Sequence, residues 1–480
     1  MEGTLLLVVG AILVAALVGA FAASRSGVPL LVVFLGLGML LGSDGPGGIP
    51  FDDPELARAI GVTGLVAILF EGGLTTAWRG LRPVLVTASL LATVGVAVTC
   101  VITGLAAAVL FDLDTSTGLL LGAVVASTDA AAVFATLRFT TLRRRLARVL
   151  EAESGLNDPF AVALTVGLIG WIEGEVGAAG FGLLLVAELA LGLVLGVVLG
   201  LVTAAVFARL PSTMEPFVPV ASVATAALSY GLTNVLHGSG FLAVYVVGLF
   251  VGNTRSPFRH LIVSFHQGLA FLAQVALFVA LGLLVFPSEL RSVILPGLAL
   301  TVVLLFVARP AAVLLSTLGQ GFSPREHTLL GWAGLRGAIP IVLATFAQSE
   351  GIEDSDTIFN AVFFVVLVSA LLQGTTLETV ARRLGLVRVS APVWRPPIEV
   401  SAGRGLDLVE FSVRPGDLPD GTHVRDLGLP RQALVAVIVR DGDAIPPRGG
   451  TLLRAGDQLY VLTRPELRDP VERLFEDWRA

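Results

Sequence analysis

Apolar runs and short polar breaks alternate along most of this chain. A segment that crosses a bilayer needs about 20 mostly apolar residues, with a range of roughly 17–25. By that rule spans are predicted near 4–23, 28–42, 56–78, 83–110, 116–137, 151–172, 178–208, 215–236, 239–252, 264–286, 292–319, 324–347 and 356–385. The count is thirteen, with the second and ninth short. The predicted class is an all-α polytopic membrane protein.

The breaks carry a charge alternation. One set holds Arg25; Arg79 and Arg82; Arg138, Arg143, Arg144, Arg145 and Arg148; Arg209; Arg255 and Arg259; Arg325; and Arg382, Arg383 and Arg388. The other set is acidic or neutral, with Asp44, Asp52, Asp53, Asp112, Asp114, Glu173, Glu175, Glu350, Glu353, Asp354 and Asp356; Arg291, beside Glu289, is the exception. Arginine-rich loops stay on the cytoplasmic side. An odd count then places the N-terminus outside and the C-terminus in the cytoplasm. Met1-Glu2-Gly3 lacks the basic start of a signal peptide, so the first span reads as retained.

Two spans break their own pattern. The fifth contains Ala126-Ser-Thr-Asp129-Ala, and the twelfth contains Gly331-Trp-Ala-Gly-Leu-Arg336-Gly-Ala-Ile-Pro340. Interrupted helices at matching places in two halves point to a transporter's midplane site. Spans five and twelve are seven apart, an odd offset, so the halves are expected to be inverted repeats.

Composition sharpens this picture. The 480 residues are 55% hydrophobic and 14% charged, and mean hydropathy is +0.87, far from a soluble chain's usual quarter of charged residues. Charge density rises after residue 388: 19 Arg and 23 acidic residues precede that point, and 12 Arg with 14 acidic residues follow it. The predicted domains are therefore a membrane domain over 1–388, a linker over 389–406 containing Pro392, Pro396 and Pro397, and a small cytoplasmic α+β module over 407–480. Within the module, Leu408–Val413, Ala433–Arg440, Leu452–Leu453 and Gln458–Thr463 read as strands. Asp441-Gly442-Asp443 reads as a hairpin turn and 465–478 as a closing helix.

Every basic residue besides histidine is arginine, which excludes Schiff-base lysines and a P-loop. The lone Cys100 excludes a disulfide framework or thiolate metal site. The net charge of -6 suggests no nucleic-acid partner, and no cofactor is implied.

The chemistry centres on Glu153-Ser-Gly-Leu-Asn157-Asp158-Pro159, where an Asn-Asp pair enters an apolar run. A carboxylate at that depth is costly and by default functional. Ser154 and Asp158 share one helix face and offer hard oxygen ligands to a small cation; Glu153 and Asn157 share the neighbouring face. Ser154 alone is equally well explained as a helix cap. Asp129, after Thr128, and Glu71 are further intramembrane carboxylates. Arg336 must find an acid, and Glu153, with Asn157 beside it, is the expected partner. Glu188 and Arg309 are expected at a subunit interface or lipid crevice, outside transport.

Glu-Ser-Gly-Leu-Asn-Asp-Pro resembles the motif of the NhaP-like branch of the monovalent cation:proton antiporter superfamily. Ser127-Thr-Asp-Ala130, Phe70-Glu-Gly-Gly73 and Gly334-Leu-Arg-Gly-Ala338 are similar to that branch's other site motifs. The C-terminal module resembles a TrkA-C domain. The resemblance implies a bacterial inner-membrane potassium/proton antiporter working in pH homeostasis, a homodimer in lipid, whose core moves elevator-like against a dimerisation domain. It implies cation ligation by Asp158, Ser154, Asp129, Thr128 and Glu71, organised by Asn157, Glu153 and Arg336. The tail would then be regulatory, binding an unknown small molecule.

One acid beside Asn157, where a second acid would add a charge, suggests that cation and proton compete for Asp158 and exchange one for one. A sodium/proton antiporter of the same fold is the alternative. A potassium channel is the reading from another class, but Thr93-Val-Gly95 and Thr165-Val-Gly167 lack the Tyr-Gly of a potassium filter.

Overall fold

In the computed structural model, residues 2–26, 28–137, 140–175, 177–254, 256–389, 407–440, 443–464 and 467–479 are described. The linker beyond Val389, Asp441 and Gly442 of the expected turn, Pro465 at the expected start of the last helix, and Arg138 and Arg255 lie outside them. The chain divides into two compact units, Met1–Ser390 and Ala391–Ala480.

The first unit is a bundle of apolar helices. Among the described residues, nine helices are long and apolar enough to cross a membrane; Leu30–Leu41, Thr115–Val124, Gly240–Asn253 and Ala338–Ser349 are shorter apolar ones. Their starts follow local capping chemistry. Asp53 accepts the Leu56 amide at 2.9 Å with Pro54 at the first turn. Ser323 and Glu326 form a reciprocal capping box before Pro324–Trp332.

Two sets of three elements repeat in order. In the first, Trp78–Leu110 contains a π turn over Leu91–Gly95. A helix then stops at Val124 and resumes over Ala130–Thr136, and a 29-residue helix, Arg144–Ile172, follows. In the second, Leu290–Ser316 contains a π turn over Leu304–Ala308. Pro324–Trp332 stops and Ala338–Ser349 resumes, and another 29-residue helix, Ser355–Arg383, follows. Those two long helices are the most enclosed, whereas Leu6–Ala23 and Gly180–Arg209 are largely exposed. This order places the two unwound stretches, 125–129 and 333–337, in the interior.

A small ribbon ties the ends of this unit together. β1 (Thr140–Leu142) lies between Ala130–Thr136 and Arg144–Ile172 and pairs antiparallel with β2 (Val387–Val389), just after the last long helix. Arg143 extends it, donating its amide to the Leu386 carbonyl at 3.1 Å and its guanidinium to that of Gly385 at 3.3 Å.

The second unit is an antiparallel sheet with a helix against it. β3 (Asp407–Ser412), β4 (Leu434–Arg440), β5 (Asp443–Ile445) and β6 (Gln458–Thr463) take the order β3-β6-β4-β5. Phe411, Phe475 and Trp478 stack in its core with the helix Arg468–Asp477. Asp457, fully buried, holds Arg440 through two bonds of 2.7 and 2.8 Å. The strand expected at Leu452–Leu453 is only a single bridge from Leu452 to His423, and Arg440 takes the Leu452 carbonyl at 2.8 Å.

Candidate cation site

The two unwound stretches touch each other. The Asp129 amide donates to the Leu335 carbonyl at 2.8 Å, and Arg336 donates through Nη1 to the carbonyls of Ala126 (2.6 Å) and Ser127 (2.7 Å). Those carbonyls lie just past the end of Thr115–Val124, where a helix exposes unpaired acceptors and partial negative charge. Backbone dipoles thus meet one nitrogen of a fully buried guanidinium, whose Nε and Nη2 make no hydrogen bond among the described residues. Gly337 is required at this crossing: a Cβ there would collide with the Asp129 carboxylate.

Arg144–Ile172 runs past the crossing and delivers the acids. Asp158, 5% exposed, accepts the Ser127 hydroxyl at 2.5 Å. Asn157, fully buried, donates Nδ2 to the Thr128 hydroxyl at 2.6 Å, while its Oδ1 has no hydrogen-bond partner among the described residues. Ser154 accepts the Ala130 amide at 3.2 Å, capping the neighbouring short helix rather than its own. Asp129 caps that same helix, accepting the Ala132 amide at 3.1 Å. Oxygens of Asp158, Ser127, Thr128, Asp129 and Ser154 therefore surround one unwound stretch. Hard, mostly uncharged oxygens around one or two carboxylates suit a small monovalent cation. Glu71, half-buried on Pro54–Thr75, makes no side-chain hydrogen bond to this cluster.

The expected partnership of Glu153 with Arg336 is corrected. Glu153 is held by Arg309, Nη1 to Oε1 at 2.5 Å and Nη2 to Oε2 at 3.0 Å, both side chains being almost fully buried. Arg309 follows the π turn Leu304–Ala308 directly, which aims it inward rather than at lipid or a subunit surface. The expectation that Arg309 stands outside the site region is corrected with it. Asn157 consequently bonds Thr128, not an Arg336 pair. Glu188 lies half-buried on Ala178–Arg209, away from these contacts.

Ser127 is the residue that the sequence did not place among the ligands. Its signal was its position beside Thr128 and Asp129 in a polar break. A cavity of about 210 Å³ reaches Asp129 from the side of Pro29 and Thr136, lined also by Gln274 and Phe278.

A buried carboxylate beside two crossed, unwound segments inside an apolar helical bundle defines a secondary transporter. The chain belongs to the sodium/hydrogen exchanger family: that family's model, described as sodium/hydrogen exchanger, transmembrane, matches residues 12–383, and a TrkA-C domain matches 408–476. It is a monovalent cation/proton antiporter, a multi-pass membrane protein and not an enzyme. It is similar to the K(+)/H(+) antiporter NhaP of Alkalimonas amylolytica, 40% identical over 96% of this chain and 81% of that one. The K(+)/H(+) antiporter NhaP2 of Shewanella sp. (strain MR-4) is 39% identical over 94% and 80%. The Na(+)/H(+) antiporter ApNhaP of Aphanothece halophytica is 30% identical over 67% and 64%. Among solved structures, the sodium proton antiporter MjNhaP1 of Methanocaldococcus jannaschii matches with a TM-score of 0.68 and 27% identity, covering 80% of this chain and 99% of that one.

Proposed function

We propose that this chain exchanges one potassium ion for one proton at Asp158. The observation that carries the reading is the Asp158 carboxylate, buried and bonded to Ser127, with the neutral Asn157 committed to Thr128. Asp158, with a neutral amide rather than a second acid next to it in the chain, holds either a proton or a cation, and the two compete. When only loaded forms cross, each cycle moves one charge each way and is electroneutral. Ser154, Asp129, Thr128 and Glu71 complete the set of ligands on this reading. Asn157, Glu153 and Arg336 organise them, with Arg309 added as the partner of Glu153. The cavity beside Asp129 borders the same ligand set.

Potassium is favoured by the relatives named as K(+)/H(+) antiporters, which extend across the C-terminal domain. Sodium is the second reading, favoured by ApNhaP and MjNhaP1, which their names give as sodium antiporters.

The nine long and four shorter apolar helices among the described residues fit thirteen passes, with the repeated three-element sets as inverted halves. The N-terminus would lie outside and the tail in the cytoplasm of a bacterial cell, in a homodimer embedded in lipid. The tail is a regulatory module for a small molecule. Proton flux in proteoliposomes, with potassium or sodium added in turn, tests the reading. Potassium should drive proton movement at lower concentration than sodium, and a response to sodium alone would reverse the assignment.

A further inference from the structure

Asp158 shares its helix face with two residues nearer the Arg143 end, Gly155 three positions earlier and Glu151 seven earlier. Spacings of three and four align them one above another, with about 10 Å of rise from Glu151 to Asp158. Glu151 is half-buried and, among the described residues, makes no hydrogen bond or ion pair; Arg148 stands one turn away on the same helix.

Tyr245 occupies the level between them. It comes from Gly240–Asn253, is 2% exposed, and lays its ring on the bare Cα of Gly155. A Cβ at 155 would stand 2.5, 2.5 and 2.6 Å from Cζ, Oη and Cε2 of that ring. The Tyr245 hydroxyl faces the Thr76 hydroxyl at 3.5 Å, and Thr76 directs its own proton to the Gly72 carbonyl at 2.7 Å. A 3.5 Å contact is weak, so packing, not a strong polar tie, holds the ring. Thr76 ends the helix that carries Glu71. The ring thus sits between that helix and the Asp158 helix, while the cavity reaching Asp129 lies among other residues.

We propose that Tyr245 is a gate on the cation path and Glu151 the carboxylate in front of it. The ring on Gly155 separates a hydrated cation gathered at Glu151 from Asp158, and its displacement admits the ion. A phenol ring excludes water and offers no ligand shell, whereas Glu151 and Asp158 on either side both attract cations. The absence of a side chain at 155, inside the segment that carries Ser154 and Asp158, is what lets the ring seal there. The proposal rests on the reading that Asp158 carries the exchanged cation.

The test is simultaneous potassium and proton flux through the full chain in proteoliposomes, with membrane voltage clamped at two values. Tyr245→Phe keeps the ring and should keep potassium and proton fluxes matched. Tyr245→Ala should pass potassium that no proton balances and that responds to voltage. Tight coupling in Tyr245→Ala, or an equal leak in Tyr245→Phe, overturns the gate. If Tyr245→Ala does not fold, Gly155→Ala takes its place, because the added methyl wedges the ring away; a leak-free, active Gly155→Ala overturns the proposal. Glu151→Gln should raise the half-saturating potassium concentration about threefold, the order of one unit charge acting across about 10 Å of partly wet protein, at unchanged maximal rate. An unchanged half-saturation overturns its role. Absence of exchange in the unmodified protein would instead remove the antiport reading and leaves a signature distinct from every variant result.

Discussion

Arg309 and Glu153, 156 positions apart in sequence, form a two-bond ion pair in the interior, beside the crossing of the unwound stretches. The pair fixes the face of Arg144–Ile172 that is next to Asn157 and Asp158. It also leaves Arg336 free to serve the carbonyls of Ala126 and Ser127.

Removing one member of such a pair strands a buried charge, at about 3–5 kcal/mol, whereas removing both is far milder. Arg309→Leu is therefore expected to lower thermal stability in detergent sharply, and Arg309→Leu with Glu153→Met to recover most of it. Single variants as stable as the parent would show that the pair is not structural.

Much of this arrangement was legible in the sequence. Hydropathy located the helices because each membrane pass must satisfy its own backbone, and the glycines and polar residues at 126–129 and 331–340 marked where that rule is relaxed. Asp158, Asn157, Asp129 and Thr128 do meet at one place. Which acid meets which arginine was not legible. Glu153, Arg309 and Arg336 are all buried charges in need of partners, and sequence gives no distance between helices. The π turn that aims Arg309 inward leaves no periodicity signal, and backbone carbonyls, which take Nη1 of Arg336, are invisible in side-chain patterns.

Gly337 meets Asp129 where no Cβ fits. Gly337→Ala is expected to cost about 1–3 kcal/mol by overpacking and to reduce exchange more than it reduces the amount of folded protein. Exchange at the parental rate per folded molecule would mean that the crossing has room to shift.

The ribbon of β1 and β2 joins the stretch leading to the C-terminal unit with the loop between the Asp129 and Asp158 helices. Truncation after Val389 keeps it and should leave exchange intact while altering its regulation. Truncation after Gly385 removes β2, whose backbone bonds are worth about 0.5–1.5 kcal/mol each, and should slow exchange as well. Equal rates in the two truncations would exclude the ribbon as a support of the site.

Outside the helices, Asp44 accepts the hydroxyl of Ser288 at 2.6 Å and its amide at 3.1 Å, which hold the Asp44 carboxyl below its ordinary value. A depressed folded value means that the tie is fully present above the unfolded pKa, about 3.9, and is lost as pH falls through the folded one. Amide exchange at Ser288, corrected for intrinsic rates, should lose protection on that descent, and Asp44→Asn should abolish the dependence. A pH-independent protection in the parent would contradict it.

The most direct test of the account compares the parent with Asp158→Asn in proteoliposomes under an imposed potassium gradient and clamped voltage. The parent is expected to move protons against potassium at a rate indifferent to voltage, and a folded Asp158→Asn to move none. Potassium-driven proton movement that survives in Asp158→Asn would contradict the account at its centre.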